Sequence, residues 1–255
     1  MQFIDTHCHI YLEEFENDME KIIQAAEDMG IVKMLMPAID SATHAGMIEL
    51  EKMNKELCKS MMGLHPCSVK ENFEEELKLV SNYLETGEFV AIGEIGLDFY
   101  WDLTFKEQQM DAFKRQIEWA LQYDLPIAIH SRNSLDECID MVSQLQNGKL
   151  KGVFHCFSGT VEQALKIETL NFYMGIGGVV TYKNSGLDMV IKEIGLKRVV
   201  LETDSPYLTP VPFRGKRNQP AYLKYIAEKL SAITGTTTED VAKITTQNAQ
   251  NLFGL

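Results

Sequence analysis

The stretch Phe3-Ile4-Asp5-Thr6-His7-Cys8-His9 sets the reading of the whole chain. Phe3-Ile4-Asp5 reads as a strand, and in a strand residues i and i+2 point to the same face. If the strand continues, His7 and His9 converge on one point. Two imidazoles aimed at one point make half a metal site. A polar N-terminal turn with two solvated histidines is the alternative. What ends the later strands decides between them.

Working outward, short apolar runs alternate with longer segments of helical period. The runs are Phe3–Asp5, Val32–Met36, Lys59–Gly63, Val90–Glu94, Ile127–Ile129, Gly152–His155, Phe172–Ile176 and Val199–Glu202. Helical segments begin near Glu16, Thr43, Phe73, Thr104, Ser134, Val161 and Ser185. In one of them Met110, Phe113, Ile117, Ala120 and Leu121 fall on a single stripe. Eight strands alternating with helices predict a parallel (β/α)8 TIM barrel, which typically takes about 250 residues. An open doubly wound sheet would more often carry a glycine-rich phosphate turn after the first strand. Histidines stand there instead. Two more helical patterns close the chain, one through Tyr222, Ile226, Leu230 and Ile233, the other through Val241, Ile244 and Leu252. The second opens on Thr237-x-x-Asp240, a capping pattern. No linker interrupts the alternation, so residues 1–255 read as one barrel. The longest irregular stretch, Thr209 to Pro220, follows the last strand, where a barrel places a functional loop.

Composition narrows the function. The chain carries a formal charge of −13. That argues against a nonspecific nucleic-acid coat, though not against a nucleic-acid substrate reached through a small metal-bearing cleft. Five scattered cysteines without a Cys-x-x-Cys fit free thiols in a reducing compartment. Cys8 and Cys156 each follow a histidine of interest, and strand alternation makes both packing residues. No signal peptide or membrane span is evident, so the cytoplasm is the expected location.

In a barrel, catalytic residues sit at the C-terminal ends of strands. Strand one ends in His7 and His9, strand three in His65-Pro66, strand four in Glu94-Ile95-Gly96-Leu97-Asp98. Strand five ends in His130-Ser131-Arg132, strand six in His155-Cys156, and strand eight in Glu202-Thr203-Asp204-Ser205-Pro206. Of the six histidines only His44 lies elsewhere. Four histidines and two carboxylates exceed the roughly three protein ligands of a catalytic zinc. Two divalent ions, sharing a carboxylate bridge and about 3.5–4 Å apart, fit that number better. Glu94, from mid-barrel, is the natural bridge. Imidazole with carboxylate suits Zn, Mn, Fe or Co, and Mg could bind more weakly.

Several stretches resemble signatures of the TatD family of metal-dependent DNases, in the amidohydrolase superfamily. They are Ile4 to His9, Ala91 to Asp98, His155-Cys156-Phe157-Ser158-Gly159, and Leu201-Glu202-Thr203-Asp204-Ser205-Pro206-Tyr207-Leu208. Arg214-Gly215-Lys216-Arg217-Asn218-Gln219-Pro220 resembles the family's basic loop, which often has Glu where Gln219 stands. The resemblance implies a first metal held by His7, His9, Glu94 and Asp204. Glu94 would bridge to a second, completed by His130 and His155. It also implies that Asp204 contacts the attacking water as general base, in a 3′–5′ exonuclease acting on DNA or RNA.

Around this set, Arg132 is placed to grip a phosphate in fork geometry, with a surface salt bridge as the alternative. Arg214, Lys216 and Arg217 form the one dense basic run, either a phosphate-binding element or a solvated face. His65 can touch the substrate's leaving group or support a ligand through a hydrogen bond. Glu202 and Asp5 are candidate partners of the histidines. Asp98 caps the next loop or meets Arg132. Phe99, Tyr100 and Trp101 are core or a stacking wall for a base. A plain helix N-cap is the alternative for Asp204. Two other functions compete with the nuclease: a small-ester, lactone or amide hydrolase on the same barrel, and a metal-binding interaction protein without catalysis.

Overall fold

Apolar runs and amphipathic segments become alternating strands and helices in the computed structural model, which describes residues 1–255. The strands are β1 (Phe3–Asp5), β2 (Ile31–Pro37), β3 (Cys58–Met62), β4 (Ala91–Asp98), β5 (Ile127–Arg132), β6 (Gly152–Phe154), β7 (Tyr173–Ile176) and β8 (Val199–Leu201). The helices are α1 (Met19–Asp28), α2 (Ser41–Met53), α3 (Phe73–Thr86), α4 (Lys106–Tyr123), α5 (Leu135–Leu145), α6 (Val161–Thr169), α7 (Leu187–Ile194), α8 (Leu223–Thr234) and α9 (Thr238–Phe253). All seven strand pairings are parallel and sequential. The two sheet edges meet past the strand ends. Thr6 N–H donates to Leu201 O at 3.0 Å, and Asp204 N–H donates to His7 O at 2.9 Å. The result is the expected TIM barrel, nearly closed.

The barrel interior takes one side chain from each strand: Ile4, Leu35, Met61, Ala91, Ala128, Val153, Tyr173 and Val200. Ala249, Leu252 and Phe253 of α9 pack on this layer. Thr246 and Asn248 tie α9 to the backbone of Gln2, Leu196 and Val199, so the helix plugs the N-terminal mouth. A second apolar layer lies between strands and helices and includes Met34, Ile92, Ile129 and Phe154 against Phe113, Ile117, Ile139 and Ile226. Each such side chain contributes about 1.5–3 kcal/mol on burial. With one mouth plugged, the C-terminal mouth is the end left for chemistry. The Thr237 hydroxyl caps α9 by accepting from Asp240 N–H.

Three sequence expectations shift. β1 stops at Asp5, so His7 and His9 lie beyond the strand rather than in its pleat. β4 and β5 run on to Asp98 and Arg132, while β6 and β8 stop one residue short, at Phe154 and Leu201. On α4 the buried face includes Gln109 and Gln116 as well as Phe113, Ile117 and Ala120, whereas Met110 and Leu121 are only partly buried. The glutamines are inside because they satisfy strand-end backbone. Gln116 pairs with both the N–H and the C=O of Leu64, and Gln109 accepts from Asp98 N–H.

Candidate metal centre

Strand ends deliver the site by two routes. On β5, β6 and β8 the interior positions Ala128, Val153 and Val200 are followed, two and four residues on, by His130, Arg132, His155, Glu202 and Asp204. On β4 the register against β5 slips between Ile92 and Ile95, so three β4 residues answer two on β5. A bulge of this kind re-aims a side chain. Glu94 lies inside it, 2% exposed, with its carboxylate among the histidines.

Its two oxygens face different sets. Oε2 lies 3.1 Å from His7 Nε2 and 3.5 Å from His9 Nε2. Asp204 Oδ1 stands on the same side, 3.7 Å and 3.5 Å from those nitrogens. Oε1 lies 2.8 Å from His130 Nδ1, 3.0 Å from His155 Nε2 and 3.3 Å from His65 Nε2. Burial raises the pKa of Glu94, but the imidazoles of His155, His65 and His7 outweigh it and hold the carboxyl well below its ordinary range.

The outer partners assign the imidazole tautomers. Tyr11 donates its hydroxyl hydrogen to Pro37 O at 2.6 Å, so its oxygen accepts from His9 Nδ1–H at 2.9 Å. His130 Nε2–H donates to Asp98 Oδ2 at 2.9 Å. His155 Nδ1 lies 3.4 Å from Glu202 Oε1. The His9 and His130 rings therefore turn a lone pair toward Glu94, while His155 Nδ1 is buried without a hydrogen-bond partner. Lone pairs facing a carboxylate repel unless a cation lies between, so the donor set fits divalent metal. The demand for positive charge is explicit at His9. Burial disfavours its charged form, yet hydrogen bonds to Asp204 and Glu94 push its pKa up to about 10. A divalent ion meets the same demand. Three groups drawn from these residues bring their ligand atoms within 4.8 Å of one another: His7, His155 and Asp204; His7, His9 and Glu94; His65, Glu94 and His130.

His65 is set the other way. Its Nδ1 accepts from Cys67 N–H at 3.1 Å, so its proton sits on Nε2 and points into the site. It is a hydrogen-bond donor at the Oε1 side. Asp204 has left-handed backbone, φ 54°, in a loop, which disposes of the helix-cap alternative. Burial raises its pKa, but the His9 hydrogen bond and the charges of His155 and His7 outweigh it, keeping the carboxyl ionised.

Other candidates divide. Arg132 stands at the cleft rim, its guanidinium 4.1 Å from the Tyr100 ring centre and 5.4 Å from that of Trp101. Trp101 is exposed and lines the cleft with it, while Phe99 packs against the core. Asp98 does not pair with Arg132. Its Oδ1 caps Tyr100 and Trp101 N–H, and its Oδ2 holds His130. Asp5 orients no imidazole: it accepts from Thr203 N–H and hydroxyl, bracing the end of β8. Cys8 is buried as expected, but Cys156 lines the cleft. At φ 47° its backbone leaves the strand and donates N–H to Glu202 Oε1 at 2.5 Å, so strand alternation no longer applies.

The basic loop splits. Arg217 lies against the segment that precedes α1, bonded to Asp18 at 2.6 and 2.9 Å and to Glu14 O. Asn218 fixes this course, donating its amide to Thr203 O and Tyr207 O. Arg214 stacks over Tyr182 in a neighbouring pocket, and Lys216 lies near Phe213. None of the three lines the metal cleft. That cleft has a volume of about 710 Å³ and is walled by Ile39, Trp101, Val179, Tyr207 and Leu208 around the ionisable floor. Tyr11 and Asn218 were missed from sequence. Only the spacing His9-x-Tyr11 hinted at the first, and nothing local marks the second.

Comparison with known proteins agrees with this geometry. Residues 4–254 match the family model described as TatD related DNase. The metal-dependent hydrolase YabD of Bacillus subtilis is 36% identical over 250 residues, spanning 98% of each chain. The crystal structure of YjjV, a TatD homologue from Escherichia coli, superposes with a TM-score of 0.93 at 30% identity, covering 99% of this chain and 98% of that one. A protein of Pantoea ananatis named 3′-5′ ssDNA/RNA exonuclease TatD is 29% identical, over 95% of each chain. The chain thus belongs to the TatD related DNase family of metal-dependent hydrolases.

Proposed function

We propose that the chain is a metal-dependent phosphodiesterase, a 3′–5′ exonuclease on DNA or RNA, with residues 1–255 forming one catalytic unit. The observation that carries this reading is the partition of donors around Glu94: His7, His9 and Asp204 on one oxygen, His130 and His155 on the other. Two divalent ions, Zn, Mn or Mg, would be held there, one by His7, His9 and Asp204 and the other by His130 and His155, with Glu94 offering an oxygen to each. Such ions acidify water and offset charge on phosphoryl oxygens. Asp204, ionised and opening on the cleft, accepts the proton of the attacking water. His65 Nε2–H donates to an oxygen of the phosphoryl group or leaving group, and Arg132 forks onto a non-bridging oxygen. The exonuclease name of the Pantoea relative supports the substrate class. No helix is long and apolar enough to cross a membrane. The five free cysteines support a reducing, cytoplasmic location.

The test is metal-supplemented hydrolysis of end-labelled single-stranded DNA beside a panel of lactones and esters. Stepwise shortening from the 3′ end is expected. Hydrolysis of lactones without cleavage of DNA would assign the site to small esters instead.

A further inference from the structure

Beside the metal cleft lies a second pocket of about 390 Å³, lined by Val179, Tyr182, Lys183, Asn184, Ser185 and Arg214. Val179 lines both, so the two are contiguous. In a chain of net charge −13 this pocket contains two cations and no carboxylate. Neither Lys183 nor Arg214 makes a salt bridge, whereas Arg217 of the same loop is tied to Asp18. The Arg214 guanidinium stands over Tyr182, 4.0 Å from the ring centre, a cation–π contact that positions it and leaves its N–H groups free.

The pocket is a sewn seam between the segments that follow β7 and β8. Val211 N–H donates to Thr181 Oγ1 at 2.9 Å, and the Tyr182 hydroxyl donates to Thr209 O at 3.0 Å. Gly178 lets the segments meet: a Cβ there would lie 2.0 Å from Leu208 O. The cations therefore sit on a preformed surface.

We infer that this seam binds a phosphate of the substrate strand lying outside the metal cleft, with Lys183 and Arg214 as its cationic contacts and Asn184 and Ser185 as hydrogen-bonding neighbours. The inference rests on the phosphodiesterase reading and deepens it. The strand crosses Val179 on leaving the metals, so the enzyme discriminates by chain length. A dinucleoside monophosphate offers only the phosphate to be cut, while a trinucleotide offers one more.

The test compares kcat/KM on a dinucleoside monophosphate, the same dinucleotide carrying a terminal phosphate, and a trinucleotide. Wild type, Lys183→Ala, Arg214→Ala and the double variant are used, with Arg214→Lys to retain charge without the guanidinium fork. The trinucleotide-to-dinucleotide ratio is expected to fall roughly threefold in each alanine variant and about tenfold in the double, the scale of exposed ion pairs. Under chelation, the salt dependence of trinucleotide binding should flatten by about 0.7 in log–log slope for each phosphate that is no longer neutralised. If the terminally phosphorylated dinucleotide shows the same preference as the trinucleotide, the seam reads a phosphomonoester end as well as an internal linkage. A wild-type ratio retained in the double variant overturns the seam and leaves the nuclease reading intact. No cleavage of any of the three by wild type removes both.

Discussion

Tyr11→Phe isolates the claim that partners outside the ligand set fix the imidazoles. The change deletes one hydroxyl with two hydrogen bonds: from His9 Nδ1 at 2.9 Å and to Pro37 O at 2.6 Å. His9 is 3% exposed, so its Nδ1–H gains no ready solvent partner. Leaving buried polar groups unpaired costs about 1–3 kcal/mol. For a chain of this size each kcal/mol lowers Tm by about 2–4 °C. Freed from Tyr11, His9 also samples the wrong tautomer, and losing such a partner weakens metal binding about 10–100-fold. The loss should fall on the ion held by His7, His9 and Asp204, since Tyr11 touches nothing on the Oε1 side of Glu94. Titration of metal-stripped protein with Zn²⁺ or Mn²⁺ against a competing chelator, followed calorimetrically, would resolve a weakened step and a preserved one. Two steps of wild-type affinity, or equal weakening of both, would refute the tautomer assignment.

Asp98→Asn is the mirror experiment. Its one remaining oxygen is held by Tyr100 and Trp101 N–H, so an NH2 faces His130 Nε2–H in place of an acceptor, and the other metal step should weaken, again by about 10–100-fold, read in the same titration. Asp204→Asn should retain metal on the His130 side and lose nearly all hydrolysis of end-labelled DNA, whereas Glu94→Ala should lose metal from both sides by elemental analysis; full turnover in Asp204→Asn would remove it as base. Gly175→Ala places a Cβ 2.1 Å from Glu202 Oε2, which is backed by a packed barrel, and should cost about 1–3 kcal/mol in chemical denaturation. Arg217→Ala should cost less than about 1 kcal/mol, because the Asp18 pair is partly exposed. Hydrogen bonds from Arg217 hold Asp18 below its ordinary pKa. Their contribution is therefore complete above about pH 4 and disappears as pH falls further. Denaturation curves of wild type and Arg217→Ala should differ at neutral pH and converge in strong acid.

Much of this was legible in the chain, because strand and helix periods are local. The apolar run at Ile127–Ile129 announces β5 whatever it packs against, and a histidine one residue later lands at the mouth of a parallel barrel. Eight such runs, six of them followed by histidines or carboxylates, determine the architecture and point to the class of ligand. The sequence alone did not determine which atom of each residue faces the centre. His65 and His130 look alike as strand-end histidines. Cys67 N–H leaves one with a proton toward Glu94, and Asp98 leaves the other with a lone pair there, as a metal ligand would need. Likewise Arg214 and Arg217 stand three residues apart in one basic run, yet one lies over Tyr182 beside the cleft and the other is bound to Asp18, just before α1. Periodicity records which face a residue takes within its own element. Hydrogen-bond partners come from elements distant in sequence, so proton positions and the fates of charges are settled only when the barrel closes.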